Sequence, residues 1–121
     1  MLNIENNSIR LTRGDTLRAE VSIMQQDGCE LTPYTPQDGD AIRFAVKRDE
    51  FVGVRYRELK DQQPLILKEI PTDTMLLHLS PADTASLAFG SYLYDIEIEM
   101  SDGTVDTFIA DATFELTTEV H

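Results

Sequence analysis

There is no tryptophan, a single cysteine and only two histidines in these 121 residues, and no lysine or arginine occurs after Lys68. Each shortage excludes something. With Cys29 alone, no intrachain disulfide can form. Its setting, Asp27-Gly28-Cys29-Glu30, holds no second Cys or His, so it reads as a bystander thiol in a reduced compartment. A serine or cysteine nucleophile needs a neighbouring base, usually histidine. Of the two available, His78 alternates with Leu77 and Leu79 and is expected to face solvent from a strand, while His121 is the last residue. No run approaches the roughly 18 apolar residues of a membrane span. The opening Met1-Leu2-Asn3-Ile4-Glu5-Asn6-Asn7 lacks the basic and apolar regions of a signal peptide. The expectation is a chain neither exported by that route nor embedded in a membrane.

What is present is acid. Ten Lys and Arg against 22 Asp and Glu give a formal charge of −12, and a nucleic-acid backbone, which needs clustered cations, is excluded as a partner. The imbalance is uneven: all 10 cations lie at or before Lys68 with 11 acids, net −1, and the other 11 acids lie from Glu69 onward, net −11. Such polarity describes a solvated, soluble surface or an acidic side that docks on something basic. An apolar share of 41% with 26% charged residues is ordinary for a folded protein. At this length the expectation is one domain spanning residues 1–121.

Apolar residues recur with period two almost throughout, the mark of strands half-buried in a sheet. After a short opening segment around Ile9 and Leu11, strands are expected from Leu17 to Ile23, over Ile42–Val46, at Val52, Val54 and Tyr56 as a charged edge, over Leu65–Ile70 and over Thr74–Leu79. The cleanest is Tyr92–Met100, and a returning strand places Phe108, Ala110, Ala112, Phe114 and Leu116 on its inner face. On that returning strand the opposed Val105 and Ile109 predict a bulge or a partly covered outer face. Leu31–Asp40, with Pro, Gly and Asp, reads as a surface loop, and Ser101-Asp102-Gly103-Thr104 as a hairpin. Ser80-Pro81-Ala82-Asp83 predicts one short helical turn with Ser80 as its cap. The fold class is therefore all-β, an immunoglobulin-like antiparallel β-sandwich of seven or eight strands with one short helical turn. Tyr92, at the Gly-Ser-Tyr start after that turn, is the residue whose hydroxyl should bond back to the main chain.

Chemistry is sparse. Asp95, Glu97 and Glu99 could be paired carboxylates, but they occupy what read as outward-facing strand positions. Gln37-Asp38-Gly39-Asp40 and Ser101–Asp106 are oxygen-rich, yet neither follows the twelve-residue calcium loop, and Asp-Gly is first a turn dipeptide. No phosphate loop, dinucleotide fingerprint or zinc spacing is present. The expectation is no enzyme, no cofactor and no metal. The strand of Arg43 and Lys47 should lie beside that of Asp95, Glu97 and Glu99 and form cross-strand ion pairs on one outer face. That leaves Arg55, Arg57 and Lys60 near an edge and the acidic return strand unmatched. The candidate interface is therefore Arg55, Arg57, Lys60, Asp106, Ile109 and Asp111, through which copies could also meet as a homo-oligomer.

The order of motifs, Ile9-Arg10-Leu11-Thr12-Arg13-Gly14-Asp15, Ile42-Arg43-Phe44-Ala45-Val46-Lys47, Gly90-Ser91-Tyr92-Leu93-Tyr94-Asp95-Ile96-Glu97, Asp102-Gly103-Thr104-Val105-Asp106-Thr107-Phe108-Ile109 and Phe114-Glu115-Leu116, resembles small proteins encoded in phages and prophages of Gram-positive gut bacteria. More distantly, it is similar to the N-terminal sandwich domain of phage upper baseplate proteins. The resemblance implies a non-catalytic virion, tail or baseplate assembly component. It would act through protein–protein contacts with other phage structural proteins and be assembled in the host bacterial cytoplasm. The competing class is a carbohydrate-binding or adhesion-type sandwich module. Such a module needs exposed aromatics, for which Tyr34 and Phe51 are the candidates.

Overall fold

The computed structural model describes residues 3–5, 8–55, 58 and 64–118. Among them are ten strands: β1 (Asn3–Glu5), β2 (Ser8–Thr12), β3 (Leu17–Glu20), β4 (Met24–Asp27), β5 (Glu30–Pro33), β6 (Ala41–Lys47), β7 (Ile66–Ile70), β8 (Leu76–Leu79), β9 (Gly90–Glu99) and β10 (Val105–Thr117). A 3-10 turn covers Asp49–Phe51, and one helical turn, α1, covers Pro81–Thr84. Six strands make one sheet in the order β1-β2-β10-β9-β6-β7, while β3 pairs with β8 and β4 with β5.

Alternation explains the sheet. In β6 and β9 the residues Ile42, Phe44 and Val46 stand opposite Ile98, Ile96 and Tyr94, so one face of two central strands is continuously apolar. Phe44 lies 5.3 Å from Tyr94 and 6.2 Å from Phe114, ring centre to ring centre. Leu17 of β3 and Leu77 and Leu79 of β8 join the same core, so the smaller ribbon covers the apolar face of the large sheet. Burial pushes the Tyr94 hydroxyl up to about 12.

Several expected elements differ. One pairing is parallel: Phe114 to Thr117 run beside Ile9 to Thr12. Parallel neighbours need a long crossover, and here it is most of the chain. The segment from Leu31 to Pro33, expected as loop, is β5. It folds onto β4 around Gly28, whose φ of +66 suits the Asp-Gly turn. Val52 and Val54 form no edge strand; they follow the 3-10 turn through Gly53 at φ +83, and Tyr56 lies outside the described residues. The bulge expected in the return strand is present twice, between Thr107 and Ile109 and between Ile109 and Ala112. These shifts carry Ala110 outward to an exposed position and put Asp111 at φ +54, while Phe108, Ala112, Phe114 and Leu116 of the expected inner row meet the core.

The helical turn stands where expected. Asp83 accepts hydrogen bonds from the Ser80 amide at 2.7 Å and the Ser80 hydroxyl at 3.1 Å. Burial opposes its charge, but these bonds and Lys68 Nζ at 3.0 Å hold the carboxyl below its usual range. The Tyr92 hydroxyl donates to the Ala88 carbonyl at 2.7 Å, as the sequence predicts.

Candidate functional site

The outer face of the large sheet carries charge, and most of it is not in solvent. Arg43 lies 3.3 Å from Glu97 and 2.9 Å from Glu99, the cross-strand pairing that the spacing predicts. Yet Asp95 and Glu97 are only 3% and 2% exposed, and Lys47 2%. The expectation that Asp95 and Glu97 face outward into water is corrected. Over Lys47 and Asp95 the physical reason is a strap: the chain leaving β6 turns back through Asp49–Phe51 and crosses this part of the face, held by the charges beneath it, while Glu97 lies against Arg43.

Lys47 makes the clamp. Its ammonium donates to the Val54 carbonyl at 2.7 Å, to Asp95 Oδ2 at 3.1 Å and to Asp111 Oδ1, one acceptor for each of its three protons. Asp95 Oδ1 accepts the Asp111 amide at 2.8 Å, a bond available because the second bulge turns that amide off the strand ladder. Asp111 in turn accepts from the Gly53 amide at 3.1 Å and from Arg55 at 3.3 Å. Burial works against ionisation of Asp111. The hydrogen bonds from Lys47 and Gly53 and the charges of Lys47 and Arg55 outweigh it, and the carboxyl is held below its ordinary value. Two cations and two carboxylates thus neutralise one another while tying the strap to β6, β9 and β10.

Of the six candidate interface residues, the structure brings two together. Arg55 and Asp111 are partners within the chain, so the expectation that Arg55 and the acidic return strand are left unmatched is corrected at this point. Asp106 is exposed near the β9–β10 hairpin, and Ile109 is half-buried against the core. Arg57 and Lys60 lie outside the described residues. His78 is exposed, opposite Arg18 across the β3–β8 pair. Among the described residues no group of three His, Cys, Asp or Glu is placed to hold a metal.

By clamping the strap, the cluster also shapes a depression. Arg48, Asp49 and Glu50 form one wall, and Phe89, Gly90 and Ser91 the other, enclosing about 300 Å³. Phe89 is 44% exposed and carries the Arg13 guanidinium 4.1 Å from its ring centre. Sequence reasoning named Tyr34 and Phe51 as the exposed aromatics instead. Tyr34 is half-buried, its hydroxyl 2.6 Å from Asp40, and Phe51, in the strap itself, is half-buried too. The Tyr34 hydroxyl is raised by that bond to Asp40, and Asp40 is lowered by the Gln37 amide and by Tyr34. A second depression, about 380 Å³ between Val21–Ile23, Pro33–Pro36 and Thr72–Met75, adjoins this pair.

The signal for the buried lysine was present: Lys47 follows directly on the apolar run Phe44-Ala45-Val46 and is itself followed within a few positions by a glycine-containing turn. That for Phe89 was its place between Ala88 and Gly90, just before a strand start, where no alternation calls for a core residue. Comparison of the chain with protein-family models returns no match, and neither curated proteins nor solved structures give one.

Proposed function

We propose that this protein is an immunoglobulin-like sandwich without catalytic machinery that serves as a phage or prophage structural component, assembling in a tail or baseplate through contacts with other virion proteins. Its topology supports the fold: β10, β9 and β6 adjacent with β7 beyond, β3 and β8 paired over the shared core, and a tyrosine bonded back to the main chain at the strand start after the helical turn. The observation that carries the function is the clamp. Its charged groups, Lys47, Asp95, Asp111 and Arg55, are engaged with one another and with the strap backbone, so the charge serves architecture rather than proton transfer. What remains for partners is surface, and the exposed surface includes acids such as Asp102 and Asp106.

The test is mass spectrometry of density-purified particles from the encoding strain after prophage induction. Peptides of this chain should copurify with the major tail proteins in constant ratio through successive gradients. Their absence from intact particles, with the chain present in the soluble lysate, would sink the proposal. A second reading, a carbohydrate-binding or adhesion-type module, gains one specific support: Phe89 supplies the exposed aromatic that such a module needs.

A further inference from the structure

We propose that the depression between the 3-10 turn and the start of β9 binds a single neutral sugar ring, with Phe89 as its apolar platform. This names the site for the second reading, rests on that reading for its class of ligand, and holds whether or not the chain is a virion component.

The platform is rigid. Phe89 stands in the connection from α1 to β9, and Arg13 stacks on its ring 4.1 Å from the centre. Arg13 is itself held, its guanidinium donating to the Leu87 carbonyl at 3.3 Å and its amide to the Thr117 carbonyl at 3.1 Å. An exposed aromatic already fixed in place loses little conformational entropy when something settles on it. The opposite wall is equally prepared. Arg48, Asp49 and Glu50 head the strap whose far end Lys47 and Asp111 tie down through Val54 and Gly53. At about 300 Å³ the space lies at the small end of ligand sites, enough for one ring.

The polar groups decide the ligand class. Arg48, Asp49, Glu50 and Ser91 are all exposed, and none of their side chains hydrogen-bonds or ion-pairs with another described residue. Arg48 offsets one of the two carboxylates in the lining, and Arg13, outside the lining but 4.1 Å from the Phe89 ring centre, adds a second cation nearby. A bare cation would stand beside the Arg48 guanidinium, and a bare anion beside two carboxylates. An apolar side chain from a protein partner would strip water from four polar groups and give no hydrogen bonds in return. A pyranose avoids all three penalties: one C–H face lies on Phe89, and its hydroxyls donate to Asp49 and Glu50 and accept from Arg48 and Ser91.

The experiment is a titration of the full-length, nitrogen-15-labelled chain with glucose, galactose, rhamnose and N-acetylglucosamine separately, read as amide shifts. One ring of this size should bind in the range of about 1–10 mM. At least one sugar should give saturable shifts confined to Arg48–Glu50 and Phe89–Ser91. Phe89→Ala should weaken that binding about tenfold with the rest of the spectrum unchanged, and Phe89→Tyr should restore it. Saturable shifts clustered elsewhere, for example around Tyr34 and Met75, would overturn the site and leave the carbohydrate reading standing. An unchanged affinity in Phe89→Ala would also overturn it. If none of the four sugars gives a saturable shift, the site is refuted, and binding of the same chain to an array of longer glycans then decides the carbohydrate reading on its own.

Discussion

Lys47 is the side chain on which the outer face depends most. A buried ammonium with three acceptors is tolerable only because two carboxylates and a carbonyl replace its water. Replacing it with methionine keeps the volume and leaves Asp95, 3% exposed, as a buried charge without its counter-ion. Lys47→Met is expected to cost about 3–5 kcal/mol in urea unfolding, and the double change Lys47→Met with Asp95→Leu to cost distinctly less than the single one. A double variant worse than the single would mean that the pair contributes net stability instead of mutual neutralisation. None of this arrangement is legible from the alternation of residues alone. Periodicity put Lys47 on the outer face correctly, as it did Arg43, but it cannot see that another segment folds across that face. Tyr92 is the contrary case. Its role follows from a local motif, Gly90-Ser91-Tyr92 after a capped turn, and the hydroxyl reaches the Ala88 carbonyl as that motif requires.

At the scale of elements, the strap and the bulge in β10 form one device. The bulge puts Asp111 at φ +54, frees its amide for Asp95 and aims its carboxylate at Gly53, Arg55 and Lys47. The carboxyl titrates below its ordinary value in the folded chain, so between that lowered value and the usual carboxylate range the unfolded chain binds more protons. The stability that the strap derives from Asp111 is therefore full at neutral pH and is lost as pH falls through the lowered value. The protection of the Gly53 amide, its exchange rate set against the intrinsic rate at the same pH, should fall on acidification before that of the β6 and β9 core. Asp111→Asn should show weak Gly53 protection already at pH 7, with little further loss on acidification. Undiminished Gly53 protection in the variant at pH 7 would show that the strap is held by packing alone.

The loop 37–40 depends on a different contact. A Cβ placed on Gly39, at φ +90, would fall 2.7 Å from Ser101 Cβ in the β9–β10 hairpin. Gly39→Ala should destabilise by about 1–3 kcal/mol, with Ser101→Gly recovering the steric part of that loss but not the backbone strain. Turn residues foretold both loops. The expected adjacency of β6 and β9 does not by itself bring these loops together: contact between Gly39 and Ser101 depends on the register, which sets Ala41 opposite Glu99.

Across the whole molecule, the uneven charge of the sequence acquires a structural meaning. Cations from the first part of the chain meet acids from the last part: Arg10 with Glu115, Arg43 with Glu97 and Glu99, Lys47 with Asp95 and Asp111, Arg55 with Asp111, and Lys68 with Asp83. The Arg10–Glu115 pair, with side chains 66% and 37% exposed, contributes little, whereas the covered pairs fix which strands are neighbours. The polarity that suggested copies meeting basic edge to acidic face is thus largely answered inside one chain. With these cations engaged, a second copy carrying the same net charge of −12 is repelled rather than recruited. The isolated protein is therefore expected to elute in light-scattering chromatography as a 13.7 kDa species at both low and high salt, with no concentration dependence. An oligomer at low salt that dissociates at high salt would show that cations outside these pairs bind another copy. A constant monomer mass means that any assembly in which the chain takes part is built on a foreign partner, whose complementary surface must bring the positive charge that this one uses in holding itself together.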